Sequence, residues 1–288
     1  MTYKLTRDAV ERLSTDLGEP GWLAERRLQA FDLFEKLELP DPKGEEWRYT
    51  DVRRFDFSLF DAPVPTRSAP ELSAELADMG VVVADYQSAA SDHADLLKEH
   101  FFTDVPVDEH KFTALHGAFL SDGIIVYVPA GIEIDIPYEV FRDVAGGGST
   151  FPHTTIVVGD NAKATFVDRF RSESHERPSL CSSVVEVTAG RGATVNYISL
   201  QEWGRNVHHF QTQRFTGYRD STVRSLAVQL GSAFARAQVE SVLNGEGSFS
   251  EMLGLYFADS NQHFAQRTLQ SHAVPNTTSD LLYKGALK

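Results

Sequence analysis

Cysteine is nearly absent: Cys181 stands alone in 288 residues. One thiol can form neither an intramolecular disulfide nor an all-cysteine cage for zinc or an iron–sulfur cluster within one chain, so a reduced thiol is expected. Basic charge is also scarce, with 27 Lys and Arg against 41 Asp and Glu and a formal net charge of −14. Phosphate backbones and anionic lipid both need a local excess of cations, so neither nucleic acid nor membrane is an expected partner. Long apolar runs are missing as well. The stretch around Ile124–Val128 falls far short of the ~18 residues a membrane span needs, and the opening Met-Thr-Tyr-Lys-Leu-Thr-Arg-Asp has no apolar h-region. A cytoplasmic chain is the expectation. No Gly-x-x-x-x-Gly-Lys-Ser/Thr loop occurs, which excludes an NTPase built on that phosphate cradle; Gly146-Gly147-Gly148 is too short and unaccompanied to replace it.

What is present is apolar side chain, 42% of residues, enough for a real core in one large or two smaller domains. The first segment reads as helical. Val10, Leu13 and Leu17 repeat at helical spacing before Gly18, and Leu28, Phe31, Phe34 and Leu37 do so again before Pro40. Glu19-Pro20-Gly21 is turn chemistry between them. We take 1–61 as a helical amino-terminal region and 62–120 as a linker with a mixed α/β segment. Pro63, Pro65 and Pro70 mark the linker, Val81–Val83 a strand, and Ala94–Phe101 and Glu109–Phe119 short helices.

From 121 to 288 the texture becomes β throughout: runs of β-branched and aromatic residues are separated by Gly, Asn and Asp. A weak repeat runs through this part. Gly159-Asp-Asn-Ala-Lys-Ala aligns with Gly190-Arg-Gly-Ala-Thr-Val, with a copy from Gly217 and another from Gly245, at spacings of 31, 27 and 28. Each copy is a tight turn followed by an alternating strand. Such a period suits stacked coils that enclose a continuous core, with an antiparallel sandwich as the competing architecture. In the stacked reading Ile156, Val158, Phe166, Val195, Tyr197, Val223 and Phe249 line the interior.

Three passages go beyond texture. They are Gly44-Glu-Glu-Trp-Arg-Tyr-Thr-Asp51, Asp122-Gly-Ile-Ile-Val-Tyr-Val-Pro-Ala-Gly131, and Gln262-His-Phe-Ala-Gln-Arg-Thr-Leu-Gln-Ser-His272 followed by Thr277-Thr-Ser-Asp-Leu-Leu-Tyr-Lys-Gly-Ala-Leu287. Together, and in this order, they resemble the SufB/SufD family of iron–sulfur cluster assembly proteins, the Glu-Trp-Arg-Tyr-Thr-Asp segment pointing to SufD. The resemblance implies a mainly β chain, with a right-handed parallel β-helix core after a helical amino-terminal region. It further implies a non-catalytic scaffold role with a SufB-like scaffold protein and a SufC-like ATPase, a homodimer being a further possible assembly. The family pattern continues past Lys288 into more coils and a helical domain that contacts the ATPase, so a fragment or a natural truncation is expected. The interface segment carrying the family's His or Cys also lies past that point, and no residue here inherits its role.

Candidate ligands are few. His263 and His272 lie in a family motif and are the candidates for facing a cluster, against the reading that His272 hydrogen-bonds within a turn near Pro275. His208, His209 and Gln211 have the residue types of a metal site, yet neighbours on a strand point to opposite faces, so only one of the two histidines can face inward. Surface or core packing is the expected role. Cys181 has Arg177 four residues earlier but no adjacent cation to activate it, and reads as a half-buried structural thiol. Trp47 reads as an anchor between the helices and the β core, with Arg48 bridging Glu45 or Asp51. No catalytic residue, metal site or stably bound cofactor is expected of the chain alone. The rival, a β-helix or β-sandwich carbohydrate-active enzyme, needs paired carboxylates or aromatic platforms along the coils; Asp160, Asp168, Glu186 and Glu202 are scattered instead.

Overall fold

A computed structural model describes residues 4–66 and 69–288. Thr6 caps the first helix by accepting from the Ala9 amide, and Gly18, at φ 64°, ends it in the left-handed conformation. This helix, α1 (Arg7–Leu17), buries Val10 and Leu13, while α2 (Gly21–Lys36) buries Leu23, Ala30, Phe31 and Phe34. Two short 3-10 helices follow, Glu45–Trp47 and Phe57–Leu59, and the Pro-rich segment after them carries no helix or strand at 62–66 and 69–70; residues 67 and 68 of the expected linker lie outside the described residues. Next come α3 (Ala74–Asp78), β1 (Val82–Asp85), α4 (Tyr86–Asp92), α5 (Ala94–His100) and α6 (Lys111–Phe119). The short helices α3 and α4 were not expected from periodicity. Each is started by one capping side chain, Ser73 for the Leu76 amide and Asp85 for the Ser88 amide.

The rest is a parallel β-solenoid. Its strands are β2 (Asp122–Val128), β3 (Tyr138–Arg142), β4 (Ser149–Thr150), β5 (Pro152–Val158), β6 (Lys163–Arg171), β7 (Ser179–Ala189), β8 (Thr194–Glu202), β9 (Val207–Gly217), β10 (Thr222–Gln229), β11 (Phe234–Leu243), β12 (Phe249–Ala258), β13 (His263–His272) and β14 (Thr278–Leu287). They form two sheets. One runs β1-β2-β5-β7-β9-β11-β13 with β4 beside β7; the other runs β14-β12-β10-β8-β6-β3. Every pairing is parallel except β1 on β2. The stacked architecture therefore holds and the sandwich does not.

Alternation along each strand sends one set of side chains inward. Ile156, Val158, Phe166, Val195, Tyr197 and Val223 join one buried cluster, as expected. Phe249 does not. It pairs with Thr222 on the outer face, beneath the Arg224 guanidinium, and Ser250 takes the inward place. The cause is a slip of one residue in the repeat alignment: Gly217 pairs with Ala189 at the end of β9, so Tyr218 is the counterpart of Gly190. A one-residue slip exchanges faces.

One corner of the coils is built from Gly131, Asn161, Gly192, Asp220, Gly247 and Asn276, all at positive φ. Through this column the first five amides each donate to the next coil: Gly131 to Asp160 O, Asn161 to Arg191 O, Gly192 to Arg219 O, Asp220 to Glu246 O and Gly247 to Asn276 O. Glycine and Asx alternate for a steric reason. A Cβ on Gly192 would turn the Asn161 amide away and one on Gly247 the Asp220 carboxylate, and both positions hold a positive φ that glycine adopts without strain.

Candidate functional site

The helices lie on the outer face of the first sheet, and there a single acid interrupts an apolar run, Val184-Val185-Glu186-Val187. Glu186 faces outward and is buried. It accepts the amides of Phe102 at 3.0 Å, Asp104 at 2.7 Å and Val105 at 2.9 Å, so it fixes the loop between α5 and α6. Its Oε2 also lies 2.8 Å from His153 Nε2; His153 Nδ1 is 3.2 Å from His116 Nε2, and His116 Nδ1 is 2.7 Å from the Ser182 carbonyl. The direction of this chain is dictated by its end. A carbonyl only accepts, so His116 Nδ1 donates; neutral His116 then accepts from His153 Nδ1–H, and His153 Nε2 is left needing a donor. Protonated Glu186 supplies it. Burial pushes the Glu186 carboxyl up to about 7 despite its three amide donors, and burial with the field of Arg142 takes His153 down to about 3. His116 is lowered well below its ordinary value, again by burial first and His153 second.

Inside the solenoid Arg142 lies 2.6 Å from Asp122 and 3.5 Å from Asp168. Thr154 and the Tyr197 hydroxyl each donate to Asp168 at 2.8 Å. These groups close the first coils around an ion cluster without access to water. A third set joins helices and sheet. Trp47 is buried, stacked on Phe112 at 5.7 Å, with the Arg236 guanidinium 3.7 Å from its ring centroid. Beside it Arg214 pairs with Glu109 and Glu240, and Arg267 with Glu240 and Glu46. The anchor role of Trp47 holds. Arg48 bridges neither Glu45 nor Asp51: it lies over the Tyr49 ring at 5.8 Å, because Arg53 already takes Asp51 at 2.6 Å. Tyr49 itself is 85% exposed at φ 66°.

The expected ligand candidates are dispersed. His263 faces outward, its ring stacked on Phe234 at 5.2 Å; His272 faces inward opposite Leu243 and bonds Thr277 at 2.6 Å and Ser279 at 3.0 Å. The two stand at opposite ends of one strand, roughly 30 Å apart at ~3.3 Å per residue. His209 points inward to Ser183 at 2.9 Å, whereas His208 points outward against Phe55 and Phe60. Cys181 is fully rather than half buried, and burial pushes its thiol well up. Arg177 is turned to Asp61 at 2.9 Å, so the thiol gains no cation from it. Among the described residues no three His, Cys, Asp or Glu side chains gather where they could hold a metal ion, and no helix is long and apolar enough to cross a membrane.

Residues 66–140 match the family model for the SufBD protein N-terminal region. Residues 141–288 match that for the SUF system FeS cluster assembly SufBD core domain. The chain belongs to the SufBD family. Among similar proteins are SufBD family iron–sulfur cluster assembly proteins of Staphylococcus saprophyticus, 28% identical, and of Staphylococcus aureus and Staphylococcus haemolyticus, each 27% identical. Each alignment covers 99% of this chain and 69% of the relative. In this SufBD chain the one thiol is buried and its pKa is pushed up, and the two motif histidines face opposite sides of one strand. Sequence reasoning counted Glu186 only as a scattered acid and passed over His116, His153 and Arg142. The available signal was a lone charge at an alternating position of an apolar strand, which demands a buried partner.

Proposed function

We propose that the chain is a SufD-like, non-catalytic scaffold subunit of iron–sulfur cluster assembly, acting in the cytoplasm with a SufB-like scaffold protein and a SufC-like ATPase. The cluster is the cargo of the complex and is not held by this chain alone. The observation that carries the reading is the succession of the two SufBD family regions from 66 to 288, the second of them lying within the solenoid. It is supported by the use of the buried titratable groups: Glu186, His153 and His116 bond one another and backbone, and Arg142 pairs with Asp122 and Asp168, so both sets hold the fold together. The test is reconstitution. Co-expressed with the SufB-like and SufC-like proteins of its own source, the chain is expected to co-purify with the SufB-like protein, and the complex to build a cluster and pass it to an apo-ferredoxin faster than the SufB-like and SufC-like pair alone. Failure to associate, or equal cluster transfer without this chain, would overturn the proposal.

A further inference from the structure

The helical region holds a cleft of about 360 Å³ where α2, α5 and α6 meet. Ala30, Leu33, Phe101, Phe102 and Val107 give it an apolar wall, and Arg26 and Lys98 stand among the residues that line it. Its wall is pre-formed. Phe102 is held at φ 53°, uncommon for a bulky aromatic, by its amide bond to Glu186, and its ring packs edge-on against His153 at 4.8 Å. The two cations are the unusual feature. In a chain of net charge −14, neither Arg26 nor Lys98 forms an ion pair among the described residues. They lie instead 5.4 and 5.5 Å from the Trp22 ring centroid, and Arg26 makes only a long bond of 3.4 Å to the Phe101 carbonyl. A pair of cations without carboxylates beside a concave apolar wall is complementary to a molecule with an anionic head and an apolar body.

We propose that this cleft binds a small anionic amphiphile, its carboxylate or phosphate monoester head at Arg26 and Lys98 and its apolar body against Leu33, Phe101, Phe102 and Val107. A cleft of about 360 Å³ lies at the small end of the range for small-molecule sites. The site is separate from cluster assembly, and its test requires none of the partners. Decanoate, octyl phosphate, decanol and decylamine are titrated into the full chain by calorimetry and by fluorescence, with Trp22→Phe identifying the Trp22 signal. Saturable binding of decanoate or octyl phosphate is expected, the tighter of the two naming the head group. Decanol and decylamine are expected to bind at least tenfold more weakly. Arg26→Ala with Lys98→Ala, both exposed and therefore expected to leave the melting midpoint unchanged, should weaken the anion at least tenfold and decanol less than twofold. Equal affinity for decanol and decanoate, undiminished anion binding by the double variant, or no saturable binding of either anion would each overturn the proposal.

Discussion

On the face of the solenoid that the helices cover, the outward side chains of β7, β9 and β11 include Glu186, Arg214, Gln238 and Glu240. On the face left open, Val167, Ile198, Leu226, Leu253 and Leu282 stand one above the next through five strands. The open face thus sets one aliphatic column beside exposed ion pairs such as Arg169 with Glu139 and Arg224 with Glu251, whereas the polar groups of the covered face lie under the helices. The open column shelters itself: residues in register on neighbouring strands lie about 4.8 Å apart, so each aliphatic group removes area from its neighbours, and the first four are half-buried without any other layer. The covered face instead uses groups that need a particular partner. In this placement of the helices Glu186, Trp47 and Arg214 all find partners across the helix–sheet seam, so these residues mark how helices and sheet fit. The apolar clusters around Phe112 and Phe210 supply adhesion.

The largest expected effect belongs to neither outer face. Val195→Asp puts an unpaired carboxylate into the interior and should cost about 4 kcal/mol or prevent folding, whereas Asn196→Asp on the adjacent outer position should change stability by less than about 0.5 kcal/mol. Denaturant titration of both reads this, and equal midpoints would contradict the inward assignment. Second is Glu186→Ala, which strips the amides of Phe102, Asp104 and Val105, and His153, of their partner. A loss of about 3 kcal/mol is expected, with faster hydrogen exchange at Phe102, Asp104 and Val105. If those amides stay protected, Glu186 is not what holds the loop.

The proton on Glu186 gives a third and smaller effect. A carboxyl raised from 4.5 to about 7 favours folding in its protonated form, so its contribution is complete below 4.5 and is lost as pH rises through about 7. His153, lowered from 6.5 to about 3, acts oppositely and penalises the fold as pH falls below 6.5. The comparison with Glu186→Gln isolates the first: from about pH 5.5 to 8.5 the native chain should lose about 2 kcal/mol relative to the variant. A constant difference across that range would remove the proton from Glu186. Smallest is Leu226→Thr in the open column, expected to cost about 1 kcal/mol or less because the site is only half-buried. A cost matching that of Glu186→Ala would mean that something other than the column covers this face.

The solenoid was legible because its cause is local and repeated: turn residues at a fixed period and alternating strands, visible from Gly159 and Gly190 onward. The failure at Phe249 came from the same logic applied one residue out of step, since the copy near Gly217 has Tyr218 at the turn position its fellows fill with glycine. The helices α1 and α2 announced themselves by spacing, but α4 did not, because its only buried face is Tyr86, Ala89 and Ala90. The site was far less legible. His116, His153 and Glu186 lie 37 and 33 residues apart along the chain and meet only when α6 is laid across β5 and β7. No spacing rule connects residues joined by docking. Trp47 was readable as an anchor from its size; its partner Arg236, about 190 residues later, was not.

The alternating corner of glycine and Asx has a consequence for how such a molecule can lengthen. Because the Asx side chain of one coil fills the place where the next coil's Cβ would be, two neighbouring coils are not interchangeable, and the structural period is two coils even though the strand pattern repeats in one. Duplicating or deleting a single coil would set glycine against glycine, leaving a gap, or Asx against Asx, turning one side chain away from its place; duplicating a pair restores the sequence of the corner. The solenoid therefore counts in twos.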